Sequence, residues 1–206
     1  MSKEAQAYAE IKNKIIARKF ASGQKIIFRD LEELLGMSKT PITSALARLE
    51  QEGFLFSEHN RGYYVKELSR GEIRQLYQLR IRLEEIAVDF AIENYTEDDF
   101  KVLDSLLQAY LNYDCNYYDI TRLRLDIDFH MQIARMSGNK YLIELLMQIY
   151  ERALIGLAPV FMTPLIPRFR EEHAQIVKAI ENRDARLAKE LIRAHEIITI
   201  EILDSV

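Results

Sequence analysis

The sequence predicts a mainly α-helical protein in two parts, an N-terminal helix-turn-helix domain with a β-hairpin wing and a C-terminal all-α helical bundle. Three observations lead to this fold class. Apolar residues recur at helical spacing through most of the 206 residues. Two short β-prone runs joined by a turn occur near residue 60, before the longer helical part begins. Beyond residue 70, no alternating segment is long enough to predict a strand.

Composition limits the class of protein before any motif is considered. The chain is 49% hydrophobic, which is enough to bury one large core or two small ones. It has no apolar run of transmembrane length, and residues 1–6 lack the apolar segment of a signal peptide, so we expect no membrane partner. Cys115 is the only cysteine, which suits a reducing compartment. The sequence therefore predicts a cytoplasmic protein.

The net charge of -4 is distributed unevenly along the chain. Residues 1–68 carry 11 Lys and Arg against 9 Asp and Glu, a balance of +2, whereas the remainder carries 17 against 23, a balance of -6. This contrast permits an N-terminal module that binds a polyanion on an otherwise acidic protein. The charge contrast does not require such a module, so the evidence for one must come from the sequence motifs.

The first two helices of the N-terminal part are marked by their ends. A helix over residues 4–19 carries an apolar stripe and stops at a break over residues 21–24. After a short extended run at residues 25–28, a second helix over residues 29–35 is followed by Gly36, where a left-handed backbone is favourable. The side chains of this second helix expected to face inward are Leu31, Leu34 and Leu35.

The third helix, over residues 38–50, is the most informative stretch of this part. Four apolar residues recur at i, i+3, i+4 and i+7 and define its buried side: Ile42, Ala45, Leu46 and Leu49. The opposite side carries residues that are short or basic: Lys39, Thr40, Thr43, Ser44, Ala47 and Arg48. Such a side can approach base edges closely without repelling phosphate. An ordinary core helix would show the same apolar spacing, and either Ser38 or Thr40 could be the N-cap.

The surroundings of this helix favour a role in DNA binding. The tight turn at residues 36–38 joins it to the second helix in the layout of a helix-turn-helix. Residues 54–58 and 63–66 are β-prone and are connected by residues 59–62, which predicts a hairpin. The tip of this wing carries three residues able to reach phosphate or the minor groove: His59, Asn60 and Arg61. Residues 1–68 are therefore predicted to be a winged helix-turn-helix DNA-binding domain.

Residues 4–67 resemble the DNA-binding domain of GntR-type transcriptional regulators. The resemblance rests on S-K-T-P-I from Ser38, on A-L-x-x-L-E-x-x-G from Ala45 to Gly53, and on Arg61-Gly62 before an apolar strand. It implies that four residues contact DNA, namely Arg29, Lys39, Thr40 and Thr43, and that Gly62 lets the wing approach the minor groove. Because the family usually has Arg where this chain has Lys39 and Thr43, its usual operator should not be assumed.

The C-terminal part, residues 69–206, reads as an all-helical bundle that follows a linker near residues 67–69. Six helices with short breaks are predicted at about residues 70–94, 97–112, 119–136, 140–158, 164–181 and 185–203. Within this bundle, Asp126 and His130 are four apart on one helical face. His173 and His195 lie at equal distances on either side of the turn at residues 182–184, so two antiparallel helices would bring them to the same height. One carboxylate and three imidazoles that converge in this way would suit Zn, Ni or Mn.

The bundle resembles the FCD effector-binding domain of GntR regulators over residues 70–204. The matching motifs are Leu79-Arg80-x-x-Leu83-Glu84, Asp126-x-x-Phe129-His130, Gly138-Asn139, Glu172-His173 and Ala194-His195. The resemblance implies that Asp126 and the three histidines hold a divalent metal, that a carboxylate effector occupies open positions beside it, and that Arg80 lines the same pocket. Arg80 could equally form a surface ion pair with Glu84, and each histidine taken singly could be hydrogen-bonded in the core.

Together these features predict a homodimeric transcription factor that binds a palindromic operator in double-stranded DNA and responds to a small organic acid. The rival hypothesis is a metal-dependent hydrolase that activates water at the same Asp and His residues. Such an enzyme would need an additional base, and Glu172, adjacent to His173 on a helix, should point about 100° away from it. The hydrolase would also leave the winged segment without a role, so we expect a regulator and not an enzyme.

Overall fold

The computed structural model describes residues 1–114, 119–156 and 166–205, so Cys115 lies outside the described residues. The described chain contains nine helices and one two-stranded antiparallel sheet, which confirms the mainly α-helical fold class. It divides into two compact units, the first of which contains Met1–Ser69, while the second begins at Arg70. Among the helices described, none combines the length and apolar character needed to cross a lipid bilayer.

The first unit is a winged helix-turn-helix. Its elements in order are α1 (Lys3–Ile16), α2 (Phe28–Leu35), α3 (Lys39–Gln51), β1 (Leu55–Glu58) and β2 (Gly62–Val65). The strands pair with Phe56 opposite Tyr64, and these two rings stack with their centroids 5.4 Å apart. The four apolar residues that define the inner side of α3 are each 0% exposed and pack against α1, α2 and the hairpin. The apolar spacing of α3 is therefore explained by burial, which leaves its opposite side free to face a partner.

The ends of these elements follow local rules. Three features differ from the expectations, namely the end of α1, the start of β2 and the exposure of Leu34. α1 ends at Ile16, before the predicted end, because Arg18 adopts a left-handed backbone with φ of 54°. Ser38 is the N-cap of α3, although its side chain makes no capping hydrogen bond. Gly62, with φ of 100°, is the first residue of β2, so the wing turn consists of residues 59–61. Leu34 was expected inside but is 53% exposed, because α2 turns its Leu31 side onto α3.

The second unit is a bundle of six helices. These are α4 (Arg70–Asn94), α5 (Glu97–Asn112), α6 (Ile120–Met136), α7 (Lys140–Gly156), α8 (Ile166–Glu181) and α9 (Ala185–Ser205). α4 packs against α6 and α9, α5 packs against α6 and α8, and α8 packs against α9. The described bounds agree closely with the prediction, whereas the expected end of α7 near residue 158 and start of α8 near residue 164 fall outside the described residues.

Capping residues set several of these helix ends. Thr96 and Asp99 form a capping box at the start of α5, in which each side chain bonds the backbone N–H of the other residue. Asp119 caps α6 by accepting a hydrogen bond from the backbone N–H of Arg122 at 2.8 Å. Gly138, with φ of 66°, allows the chain to leave α6. The ends of these helices are thus set by local residues, and the apolar core of the bundle is filled by side chains from α4, α5, α6, α8 and α9.

Candidate metal centre

Helices α6, α8 and α9 bring the four predicted ligands to one point inside the second unit. α6 presents Asp126 and His130 from successive turns of the same face. The short turn at residues 182–184 folds α9 back along α8, which brings His195 level with His173, with ring centroids 4.6 Å apart. The mirrored spacing of these two histidines therefore results in direct contact. All four residues are buried, and the most exposed of them, Asp126, is 5% exposed.

The polar atoms of these residues face one another at short range. The Nε2 atom of His173 lies 3.2 Å from Nε2 of His130 and 3.3 Å from Oδ1 of Asp126. The Nε2 atom of His195 lies 3.7 Å from the same carboxylate oxygen. One donor atom from each of the four residues can be chosen so that all lie within 4.8 Å of one another. The polar atoms of the four side chains thus surround one small space.

These spacings fit a single metal ion. Metal–ligand bonds of about 2.1 Å separate neighbouring ligand atoms by about 3.0 Å at right angles and about 3.4 Å at tetrahedral angles. The separations of 3.2 and 3.3 Å lie within that range, whereas the 3.7 Å between Nε2 of His195 and Oδ1 of Asp126 lies slightly above it. Within the described part of the chain, Oδ1 of Asp126 is buried and has no well-aligned hydrogen-bond partner. Buried polar atoms normally have a partner, and an ion at this point would supply one.

Two of the imidazoles are supported by carboxylates on their outer side. Oε2 of Glu172 lies 2.8 Å from Nδ1 of His195 and is hydrogen-bonded to it. Oε2 of Glu84 lies 2.8 Å from Nδ1 of His130, but these two atoms are not aligned as a hydrogen bond. A carboxylate at this distance favours a proton on Nδ1, which leaves the lone pair of Nε2 directed at the centre. Metal-binding histidines commonly have such outer partners, because the partner fixes both the ring orientation and the tautomer.

Arg80 lies in the same interior and links the centre to two glutamates. Its Nε donates to Oε1 of Glu84 at 2.6 Å, and its Nη2 lies 2.5 Å from Oε1 of Glu196 and 4.0 Å from Oδ2 of Asp126. The guanidinium also lies over the ring of Tyr150, at 4.2 Å from its centroid. The expected pair with Glu84 thus forms, but not at the surface, because Arg80 is only 4% exposed. The structure therefore places Arg80 beside the four predicted ligands.

Sequence reasoning missed the parts played by Glu84 and Glu196. Glu84 was considered only as a surface partner of Arg80, yet it also accepts a hydrogen bond from the Tyr150 hydroxyl at 2.6 Å. Glu196 directly follows His195, and consecutive helical residues point about 100° apart, so spacing alone did not bring both to one centre. The available signal was their apolar neighbours at helical spacing, since a carboxylate in such a position is seldom buried without a partner.

The buried charges around the centre leave a negative excess. Among the described residues, Glu84, Asp126 and Glu196 contribute three buried carboxylates, and Arg80 is the guanidinium that pairs with them. The other buried arginine, Arg122, donates to a carbonyl at the end of α5. Burial raises the pKa of Glu196 to about 7, because uncompensated buried charge is costly. With the three carboxylates ionised and the imidazoles neutral, one divalent cation would offset the remaining two negative charges.

The same surroundings shift the pKa values of the cluster in different directions. Burial lowers the pKa of His173 to about 3. Burial alone would also lower the pKa of His195, but its contacts with Asp126 and Glu172 outweigh burial and raise this pKa to about 10. Burial opposes ionisation of Asp126, yet the close imidazoles of His173 and His195 hold its pKa well below the ordinary value. Asp126 ionised and His173 neutral are the forms that bind a metal, and His195 would exchange its proton for the ion.

The rival hydrolase hypothesis depends on Glu172, and this side chain is already engaged. One of its oxygens lies 2.8 Å from Nδ1 of His195, and the other accepts from Nε of Arg168 at 2.7 Å. Glu172 therefore lies on the outer side of a candidate ligand and not beside a coordination position where water would react. This arrangement orients the imidazole of His195, and it gives no support to the hypothesis that Glu172 acts as a base in hydrolysis.

The residues predicted to contact DNA lie on the surface of the first unit. Those exposed are Arg29, Lys39, Thr40, Thr43 and Arg61, and Gly62 is half-buried. Arg29 pairs with Glu33 at 3.3 Å, and Arg61 pairs with Glu58 at 3.2 Å. The hydroxyl of Thr43 donates to the carbonyl of Lys39 at 2.9 Å. Exposed ion pairs contribute little free energy, so both arginines can exchange these partners for phosphate.

Family comparisons match both units of the chain. Residues 3–65 match the family model of bacterial regulatory proteins of the gntR family, and residues 75–197 match the FCD domain. The HTH-type transcriptional regulator YdhC of Bacillus subtilis is 26% identical over 194 residues, which are 92% of this chain and 86% of YdhC. The Nta operon transcriptional regulator of Aminobacter aminovorans is 34% identical over 134 residues, which are 65% of this chain and 63% of that protein.

Solved structures show the same fold. The structure of McbR/YncC of E. coli superposes with a TM-score of 0.87 at 24% sequence identity, and the match covers 100% of this chain and 98% of that one. A GntR regulator from Rhodococcus sp. RHA1 superposes with a TM-score of 0.80 at 18% identity over the full length of both chains. The chain therefore belongs to the GntR family of bacterial transcriptional regulators, DNA-binding proteins whose winged helix-turn-helix is here followed by an FCD domain.

Proposed function

We propose that this regulator binds its operator in a manner controlled by a small organic acid, which binds beside a divalent metal inside the helical bundle. In this proposal residues 1–68 are the DNA-binding domain, and residues 69–206 are the metal- and effector-binding domain. The observation that carries it is the convergence of three imidazole nitrogens and one carboxylate oxygen on a buried point, with separations that suit one ion. A cytoplasmic location follows from the proposed partner, since operator DNA is found there.

The proposed ligands of the metal are Asp126, His130, His173 and His195. This set of three nitrogens and one oxygen suits Zn, Ni or Mn, and the histidine-rich composition disfavours Mg and Ca. When bound, the metal supplies positive charge that attracts a carboxylate. Four protein ligands leave positions open on an ion that accepts five or six, and Arg80 lies beside them to pair with an incoming acid.

The proposed DNA contacts lie at the start of α2, on the exposed side of α3 and in the wing. Lys39, Thr40 and Thr43 would approach base edges, while Arg29 and Arg61 would contact phosphate. Gly62 would let the wing come close to the minor groove. A homodimer would place two such helices in successive major grooves of a palindromic operator. The effector would act by binding one arrangement of the two DNA-binding domains more tightly than another. Equal affinity for both arrangements would leave the equilibrium between them unchanged.

The metal content of purified protein tests this proposal. We expect protein purified without added metal to contain about one divalent ion per chain, and His173→Ala to lower that content several-fold while the protein remains helical. Gln175→Ala is the matched control, because Gln175 lies on the same helix but is exposed. Metal content can be measured by plasma mass spectrometry and helicity by circular dichroism. Equal metal content in the His173→Ala and control proteins would contradict the ligand assignment.

A further inference from the structure

Glu196 carries a carboxylate that the proposed set of four ligands does not use. Its side chain is 1% exposed, and its Oε1 lies 3.7 Å from Nε2 of His130 and 3.9 Å from Nε2 of His195. These are the same imidazole atoms that face the proposed ion. Glu196 therefore reaches the edge of the metal centre from α9, next to the ligand that precedes it in the sequence.

The same oxygen of Glu196 also faces the guanidinium of Arg80. Oε1 lies 2.5 Å from Nη2 of Arg80, but the two groups are not aligned as a hydrogen bond, and no other described residue donates one to this oxygen. Nη2 of Arg80 is likewise buried without a well-aligned partner in the described chain. Both groups are thus held together by charge and remain available for better-aligned partners.

An incoming carboxylate needs the two features that Glu196 already uses. It would need a position on the metal and a guanidinium to offset its charge, and Oε1 of Glu196 lies close both to Nη2 of Arg80 and to the Nε2 atoms that face the proposed ion. Adding a further carboxylate while Glu196 stays in place would bring another buried negative charge close to Glu84, Asp126 and Glu196. Such an addition is costly, so an effector is favoured that takes the place of Glu196 while the side chain of Glu196 turns away from Arg80 and from the ion.

We propose that the carboxylate of Glu196 occupies the position of the effector carboxylate, beside the metal and against Arg80, so that an effector must displace it. This inference rests on the proposed metal site. A tethered carboxylate competes at an effective concentration in the millimolar range or above. A monodentate acid such as acetate therefore binds poorly to the wild-type protein, whereas an acid that chelates the metal through two oxygens, such as oxalate, displaces Glu196 more readily.

The test measures binding of acetate and oxalate to protein loaded with Co²⁺. Titrations are followed by calorimetry and by the visible absorption of the ion, which reports its coordination. We expect Glu196→Gln to lower the Kd for acetate about tenfold or more, because the amide keeps the shape of the side chain but neither its charge nor its affinity for metal. The Kd for oxalate should fall less. Glu201→Gln makes the same change at an exposed position of α9 and should leave both values unchanged.

The possible outcomes separate this inference from the metal site on which it rests. If wild-type protein binds no Co²⁺, the metal site fails and the role of Glu196 fails with it. If Co²⁺ binds at one per chain but the Kd for acetate is the same or higher in Glu196→Gln, the role of Glu196 alone is overturned. Glu196→Asp keeps the charge but withdraws it by one methylene group, and an acetate Kd between those of wild type and Glu196→Gln would support the proposal.

Discussion

Outer partners, and not only direct ligands, decide how well a buried histidine can hold an ion. Glu172 has one oxygen on Nδ1 of His195 and the other on Arg168, so its carboxylate is held from both sides. Its pKa is lowered because these contacts with His195 and Arg168 outweigh the opposing effect of burial. An ionised Glu172 fixes the ring of His195 and makes its Nε2 a better electron donor.

Glu172→Gln should therefore weaken metal binding without disrupting the bundle. We expect the Kd for Zn²⁺ to rise about 10- to 100-fold, because the amide can no longer offer a charged acceptor to Nδ1 of His195. The measurement is a competition titration against a chelator of known affinity. Glu171→Gln is the control, since Glu171 is the exposed neighbour on the same helix. An unchanged affinity in Glu172→Gln would remove this carboxylate from the support of the site.

Arg29 allows a similar comparison at the proposed DNA-binding surface. Arg29→Ala should weaken operator binding and reduce the slope of log affinity against log salt by about one, because one phosphate contact is lost. Arg186→Ala is a matched control, because Arg186 also forms an exposed pair with the residue four positions on, Glu190, but lies in the second unit. Binding can be measured by fluorescence anisotropy at several salt concentrations. Equal effects of both substitutions would show that Arg29 does not contact DNA.

Helix α5 shows how much of an element is fixed by its first residues. Thr96 and Asp99 form reciprocal bonds, and the hydrogen bonds from Thr96 lower the pKa of Asp99. A carboxyl group whose pKa is lower in the folded than in the unfolded protein stabilises the folded state at a pH above the unfolded pKa. This stabilisation is lost as the pH falls through the folded pKa, so the capping box should weaken in acid. The start of α5 was predictable for the same reason, since it depends on residues three apart.

Thr96→Ala should lower the free energy of unfolding by about 1 kcal/mol at neutral pH. The difference from wild type should shrink as pH falls below the ordinary pKa of aspartate, because protonated Asp99 no longer accepts the bonds from Thr96. Urea titrations followed by circular dichroism at several pH values measure both effects. Thr121→Ala serves as a control at an exposed position in the first turn of α6. A difference that grew in acid would contradict the role given to Asp99.

The spacing of apolar residues predicted the helices well. It failed for side chains whose burial depends on how one helix packs against another. The spacing of Ile42 and Leu49 correctly marked the buried side of α3, because any partner must cover that stripe. Leu34 was misplaced, because the side of the short helix α2 that is covered depends on how it packs against α3. Glu196 was missed for a related reason, since its direction matters only once α4 and α9 are packed together.

At the scale of the whole molecule, the four candidate ligands could be found from sequence because each relation among them is simple. Asp126 and His130 share a helical face, and the turn at residues 182–184 brings His173 and His195 level. The pairing of Arg80 with Glu196 depends on the packing of α4 against α9, and the sequence carries no comparable spacing for it. The contact between Arg80 and Glu196 could not be predicted from sequence, because it depends on the packing of helices that are distant in the chain.

A regulator of this kind needs a site that senses a small molecule and a domain that binds DNA, and the chain contains a candidate for each. With an ion bound, the bundle would offer a buried point of attraction for an anion, while the exposed residues of α3 that are proposed to contact DNA, Lys39, Thr40 and Thr43, include no carboxylate. In the proposed homodimer, the link between them would be a difference in the affinity of the effector for two arrangements of the DNA-binding domains. The proposed response to a small molecule depends on the presence of the ion in the bundle.

The most direct measurement is therefore anomalous X-ray scattering from crystals of protein purified without added metal. We expect one strong peak per chain at the centre of the bundle, within about 2.3 Å of Oδ1 of Asp126 and of the three Nε2 atoms, with an absorption edge that identifies the element. A bundle that shows no peak there, with the imidazoles of His130 and His173 hydrogen-bonded directly to each other, would contradict the proposed metal site.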